Sequence, residues 1–151
     1  VRASGAVVAL QVELAAVAKE LPDSICRVNL VDSDLFLWEV ALTGPTGSPY
    51  QGGSFVFSFT FPPGYPASPP RVRCLKPIFH CNIDSNGTVC LGELEEEQRG
   101  RAVALDFIKV LLSLLSMPVP EHALVTSAAQ LFLSDRGQHD RTAREWPSRY
   151  A

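Results

Sequence analysis

Residues 54–61 read SFVFSFTF, and this segment gives the strongest sequence indication of the fold. Every second position from 55 to 61 is phenylalanine, which is the period-two pattern of a β-strand with one face toward a core. Shorter strand-like segments lie at 25–31, 35–42 and 72–75. Because short links join consecutive strands, the pattern predicts a four-stranded antiparallel meander sheet.

Helical patterns lie on both sides of the predicted sheet. Helices are expected at residues 7–17, 104–115, 127–133 and 141–146. Pro22, Pro118 and Pro147 are expected to end the first, second and last of these helices, because proline has no backbone N–H. The sequence therefore predicts one α+β domain over residues 1–151, with an N-terminal helix, the meander sheet, a long irregular loop and C-terminal helices.

Composition excludes several classes of function. The chain has 151 residues, of which 46% are hydrophobic and 19% are charged, and this balance is typical of a globular domain. Its formal net charge of -3 provides no basic field for binding nucleic acid. The longest apolar run, 103–117, is interrupted by charged residues and is shorter than the roughly 18 residues of a membrane span.

The four cysteines are expected to be free thiols. A chain of this length and apolar content does not need disulfides, and no secretory signal is visible. We therefore expect a reducing compartment, either the cytoplasm or the nucleus or both. Cys26 and Cys74 lie in strand-like segments and are expected to be buried structural thiols.

A long segment without regular periodicity, residues 77–101, holds His80, Cys81, Asn82 and Cys90. Irregular segments of this length inside a domain are typically functional or disordered. Apolar residues are spread through the segment, which favours an ordered loop pinned to the core. From these residues alone, Cys90 is either a reactive thiol or a buried structural one.

The same loop resembles the active-site signature of ubiquitin-conjugating enzymes. The run HCNID at 80–84 is followed by GTVCL at 87–91, and the usual family form is His-Pro-Asn with a Cys-Leu pair about eight residues beyond the asparagine. Cys81 stands where the family has proline. Further matching motifs are GP and SPYQGG within 44–53, FP, YP and PP within 61–70, and AREW at 143–146. The likeness runs from about Trp38 to the last residue and implies the fold of that family.

The resemblance implies a catalytic set of Cys90, Asn82 and His122. Cys90 would accept the C-terminal glycine of a modifier from an activating enzyme by thioester exchange, with the thiolate as nucleophile. Asn82 would donate a hydrogen bond to the oxyanion formed during transfer, or hold the loop by hydrogen bonds, or do both. The residues expected to support the active-site loop are His80, Leu91, Gly92 and Glu121. His80 is expected to be a structural hydrogen-bonding residue and not a base.

Two positions near the implied nucleophile depart from the family pattern. Acidic residues often match Gly92 and His122, where they help an incoming lysine to lose its proton before it attacks. The run Pro120-Glu121-His122 resembles instead the branch of the family that passes its modifier only to ligase cysteines. We therefore hypothesise that transfer to thiols is faster than transfer to lysine, unless Glu121 supplies the missing carboxylate.

The surfaces that the family uses for its partners are also altered. The ligase-facing residues implied by the resemblance are Pro66, Ala67, Gln98, Arg99, Gly100 and Arg101. A phenylalanine commonly matches Ala67, so a large apolar anchor is missing there. Asp106 and Lys109 lie on the helix that would face the modifier, and the first helix carries Val8 and Val12 where the family has basic residues. The missing ligase anchors predict weak binding of common ring-type ligases or a specialised partner, and the altered first helix disfavours charging by a standard activating enzyme.

The resemblance also implies the partners. These are ubiquitin or a ubiquitin-like modifier, a ubiquitin-activating enzyme, and a ubiquitin ligase, with the cysteine-transfer type favoured. No cofactor, metal, nucleic acid or membrane is implied, and the chain is expected to be a monomer. The acidic run at 93–97 is either a solvated face, or a surface that steers basic partners, or a set of like charges that lowers the thiolate content of Cys90.

Two alternatives remain open from the sequence. The first is a catalytically weak or inactive relative that acts as a modifier-binding or ligase-binding module, which the altered partner surfaces favour. The second is a zinc site built from Cys74, His80, Cys81 and Cys90, although their spacing fits no standard zinc module.

Overall fold

The structure, a computed structural model, describes residues 4–92 and 102–150. Helix α1 comprises Ser4–Glu20. The strands are β1 Cys26–Val31, β2 Asp34–Thr43, β3 Ser54–Thr60 and β4 Arg71–Cys74. The later helices are α2 Ala104–Ser116, α3 Thr126–Ser134 and α4 Arg136–Tyr150, with a 3-10 turn at Pro120–His122. None of the helices in the described residues is long and apolar enough to span a membrane.

The four strands form one antiparallel sheet in the order β1-β2-β3-β4, so the predicted meander is confirmed. In its register, Val40 on β2 lies opposite Phe57 on β3. All four phenylalanines of residues 55–61 are buried, as their alternation predicts. They join Trp38 and the buried face of α2, which includes Phe107, in one hydrophobic core. The sheet and α2 thus form the base on which the loops between them rest.

A buried carboxylate joins three parts of the chain. Glu13 lies on the same side of α1 as the buried Leu10 and is 9% exposed. It accepts hydrogen bonds from the hydroxyl of Tyr65 in the proline-rich loop 62–70 and from the backbone N–H of Ala104 at the start of α2, the latter at 2.8 Å. Because a carboxylate is costly to bury without hydrogen bonds, these contacts fix the three segments relative to each other.

The prediction that Pro147 ends the last helix is wrong. Helix α4 begins at Arg136, earlier than predicted, and continues through Pro147 to Tyr150. Its polar composition hid the earlier start, although His139 and Ala143 are buried one turn apart. A proline in the last turns removes one backbone hydrogen bond, and the packing of the preceding turns offsets that loss.

Cys26 and Cys74 are buried in β1 and β4, as predicted. Burial raises the pKa of the Cys26 thiol to about 11. Burial likewise raises the pKa of the Cys74 thiol. Both side chains therefore stay protonated near neutral pH and act as small apolar groups in the core.

Candidate active site

A short hairpin places Asn82 and Cys90 opposite each other. Ile83 pairs with Val89 across it, and the Cys90 N–H donates to the Asn82 carbonyl at 2.9 Å. The turn between them is held by Asp84, whose carboxylate accepts the backbone N–H groups two and four residues further on at 2.9 and 3.0 Å. Two of the three residues that the resemblance assigns to catalysis are thus neighbours through local backbone pairing.

The hairpin is anchored to the edge of the sheet. Gly87 has a φ of +82°, and its carbonyl accepts the Cys74 N–H of β4 at 2.8 Å. A Cβ atom at this position would lie 2.3 Å from the Cys74 carbonyl oxygen, so only glycine allows the approach. Ile83 and Val89, which pair with each other within the hairpin, are both buried. Over residues 77–92 the loop is pinned to the core, as predicted.

Asn82 ties the hairpin to the segment after α2. Its side chain is 1% exposed. The Nδ2 amide donates to the carbonyls of Val119 and His122 at 2.9 and 3.1 Å, and Oδ1 accepts the Val119 N–H at 2.9 Å. The loop-holding role of Asn82 is therefore present in the structure. Its role as a hydrogen-bond donor to an oxyanion stays a prediction.

His80 is a buried hydrogen-bonding residue, as predicted. Its Nδ1 accepts the Asn82 N–H at 3.0 Å, so the proton lies on Nε2, which donates to the Leu114 carbonyl of α2 at 2.6 Å. The Tyr50 ring stacks on the imidazole with centroids 5.6 Å apart. Burial of the ring lowers its pKa to about 4. His80 is therefore neutral near pH 7, with both ring nitrogens engaged.

The buried His80 is expected to make stability fall in acid. Its folded pKa of about 4 lies below the ordinary value of 6.5, so the unfolded chain takes up a proton first as the pH falls. This contribution to stability is complete above about pH 6.5 and decreases by about 3 kcal/mol toward pH 4. Urea unfolding of the wild type and of His80→Gln at about pH 7 and about pH 4 checks this. Equal losses of stability in the two proteins would contradict it.

Cys90 is partly exposed, and Gly92 and His122 lie beside each other near it. Gly92 has a φ of +60°, and a Cβ atom built on it would lie 3.8 Å from His122 Nδ1. His122 and Glu121 are exposed in the 3-10 turn, whereas Leu91 is buried. The structure thus brings together the two positions at which relatives often have acidic residues, and here neither carries a carboxylate.

The predicted partner surfaces are described only in part. Pro66 and Ala67 are exposed in the proline-rich loop. Asp106 caps α2 by accepting the Val103 N–H at 2.8 Å, and Lys109 lies 3.8 Å from the carboxylate of Glu20 on α1. Gln98, Arg99, Gly100, Arg101 and the acidic run at 93–97 lie outside the described residues.

The zinc alternative gains no support from the arrangement of possible ligands. Among residues 4–92 and 102–150, no group of three or more His, Cys, Asp or Glu side chains could hold a metal ion. Both nitrogens of His80 are engaged in hydrogen bonds, and the thiol of Cys74 lies 3.2 Å from the Lys76 carbonyl. These groups are arranged for packing and hydrogen bonding.

Comparisons with known proteins agree with this geometry. Residues 9–147 match the family model described as ubiquitin-conjugating enzyme. The fold also matches the crystal structure described as that of "a putative ubiquitin conjugating enzyme from Plasmodium yoelii". The TM-score is 0.89 and the sequence identity is 28%, over 100% of this chain and 98% of that chain. The chain belongs to the ubiquitin-conjugating enzyme family.

Proposed function

We propose that this chain carries ubiquitin, or a ubiquitin-like modifier, as a thioester on Cys90. The family consists of ubiquitin-conjugating transferases, and its partners in general are ubiquitin, an activating enzyme and ligases. The observation that carries the proposal is the exposure of the thiols. Three of the four cysteines are buried, while Cys90 is half-exposed at the end of the hairpin opposite Asn82.

The proposed charging step exchanges one thioester for another. The Cys90 thiolate attacks the carbonyl carbon of the modifier held on the activating enzyme. A new C–S bond forms, the old C–S bond breaks, and the cysteine of the activating enzyme leaves as a thiolate. Since no electron is gained or lost, the step needs no redox partner. Cys90 is the one cysteine of the four that is not buried, which favours access of the incoming thioester to its thiol.

Charging is tested with purified protein, activating enzyme, ATP and ubiquitin on a non-reducing gel. We expect an adduct that thiol reagents remove in the wild type, and no adduct in Cys90→Ala. Absence of an adduct, with ubiquitin and then with ubiquitin-like modifiers, would favour the alternative of a binding module. The altered first helix supports that alternative, since Val8 and Val12 are 58% and 63% exposed in the region where the resemblance implies basic residues.

We further propose that a ligase cysteine is the preferred acceptor. An amine attacks a thioester only in its neutral form, so an acceptor site for lysine benefits from a nearby carboxylate. Gly92 and His122 occupy the positions beside Cys90 where such carboxylates are expected. A thiol acceptor titrates closer to neutral pH than lysine and needs less assistance.

Gly92→Asp is expected to speed discharge onto free lysine by about tenfold, because it places a carboxylate beside the thioester. Asp and Asn both tolerate the left-handed backbone of Gly92 better than other side chains, so Gly92→Asn is the matched uncharged control. The measurement is the decay of preformed thioester in the presence of free lysine or free cysteine. Equal lysine rates in the two variants would contradict a role for the charge.

A further inference from the structure

Cys81 makes a contact with Asn82 that proline, the usual family residue at this position, cannot make. Its side chain is fully buried and packs against Ala128 and Ala129 of α3. The thiol donates to the Asn82 Oδ1 atom with a sulfur-to-oxygen distance of 3.4 Å. The Cys81 carbonyl accepts two further backbone N–H groups, at 2.7 and 3.0 Å, from the start of the segment that leads into α3. The backbone and the side chain of Cys81 therefore both contact α3 and the residues just before it.

The thiol completes the hydrogen bonding of the Asn82 amide. The two lone pairs of Oδ1 receive the Val119 N–H and the Cys81 S–H. The two hydrogens of Nδ2 go to the carbonyls of Val119 and His122. In this orientation the amide has no hydrogen left for a group bound to Cys90.

We propose that Cys81 is a positioning residue that holds the Asn82 amide in this loop-bound orientation and thereby slows attack by amines on a Cys90 thioester. The inference rests on the proposed carrier function. When an amine attacks, a C–N bond forms, the C–S bond breaks, Cys90 leaves as a thiolate and the ammonium proton passes to solvent. An amide donor stabilises the transient oxyanion. To supply that donor, the Asn82 side chain must first rotate and break the hydrogen bonds of its Oδ1 atom, including the one from Cys81.

The chemical state of the Cys81 thiol suits this role. Burial raises its pKa and the negative charge of Glu121 acts in the same direction, although hydrogen bonds with the backbone partly oppose the shift. The sulfur therefore keeps its proton near neutral pH and remains a donor to Oδ1. A thiol is a weak donor, so its removal should change a rate by a small factor, about threefold.

The kinetic test compares Cys81→Ala with Cys81→Ser. Both substitutions shrink the side chain, but serine keeps a hydrogen-bond donor. We expect discharge onto free lysine to rise about threefold in Cys81→Ala and to stay at the wild-type rate in Cys81→Ser. In an Asn82→Ala background, Cys81→Ala should have no effect. A packing role alone predicts that alanine and serine act alike and independently of Asn82, and that result would overturn the proposal.

A second measurement needs neither charging nor an Asn82 variant. The side-chain amide hydrogens of Asn82 can be followed by hydrogen exchange in NMR, and they should exchange faster in Cys81→Ala than in the wild type. Unchanged exchange would overturn the positioning role even if the protein charges normally. A wild type that never forms a thioester would instead refute the carrier function, and with it the kinetic consequence of the Cys81 contact.

Discussion

Asn82→Ala is expected to lower the free energy of unfolding by about 3 kcal/mol and to slow transfer from Cys90 at least tenfold. The stability loss follows from the contacts of the amide. Its removal leaves the Val119 N–H and the His122 carbonyl without their Asn82 partners, and the Val119 carbonyl keeps only the His122 N–H at 3.1 Å. For a chain of this length, such a loss corresponds to a decrease in melting temperature of about 6 to 12 °C.

The matched control for Asn82→Ala is Asn86→Ala, on the same hairpin. Asn86 is exposed in the turn, and its substitution should change the free energy of unfolding by less than about 0.5 kcal/mol. Thermal unfolding gives the stability difference, and single-turnover discharge measured well below the melting temperature gives the rate. A stability loss with an unchanged rate would mean that Asn82 only holds the loop. A melting temperature like that of the control would contradict the structure of the site.

Glu13→Ala is expected to cost about 4 kcal/mol of stability. The substitution leaves the buried Tyr65 hydroxyl and the Ala104 N–H without an acceptor. It also releases the proline-rich loop 62–70 and the start of α2 from α1. Chemical denaturation of the wild type and the variant measures the effect as a shift of the midpoint.

Two variants serve as controls for Glu13→Ala. Glu20→Ala removes a carboxylate from the same helix, where it is 57% exposed and 3.8 Å from Lys109, and should cost less than about 0.5 kcal/mol. Glu13→Gln keeps an acceptor oxygen, so its loss of stability should lie between those of Glu13→Ala and Glu20→Ala. If Glu13→Ala and Glu20→Ala unfold at the same denaturant concentration, the proposed junction is wrong.

The sheet could be predicted from sequence because its signal is local. The alternation at residues 54–61 specifies which side of β3 is buried, whatever the rest of the chain does. The turn residues between the strands then limit the topology to a meander. The helix boundaries were less accurate, since the buried His139 interrupts the apolar period at the start of α4.

The long-range contacts that hold the fold and the site together could not be predicted from local sequence. Glu13 lies 52 and 91 positions from its two partners, and Asn82 lies 37 and 40 positions from the residues that its amide contacts. Hydrophobic periodicity carries no information about contacts between residues so far apart in the sequence. Glu13 does follow Leu10 at a helical spacing of three, which places it on the buried face of α1. This spacing was the one feature of the sequence that could have indicated its burial.

The resemblance to the family identified the site residues, which periodicity could not do. It named Cys90, Asn82, Gly92 and His122, and the structure places these residues on two adjacent segments. It gave no account of Cys81, because the family has proline at that position. The contact from its thiol to Asn82 became visible only with the side chains in place.

The central claim, that Cys90 carries the modifier, is tested most directly by intact-protein mass spectrometry after incubation with activating enzyme, ATP and ubiquitin. The account predicts a mass increase equal to ubiquitin less one water, lost on treatment with a thiol reagent and mapped to Cys90. An unchanged mass would contradict the account, and so would a modification on Cys26, Cys74, Cys81 or a lysine with Cys90 left free.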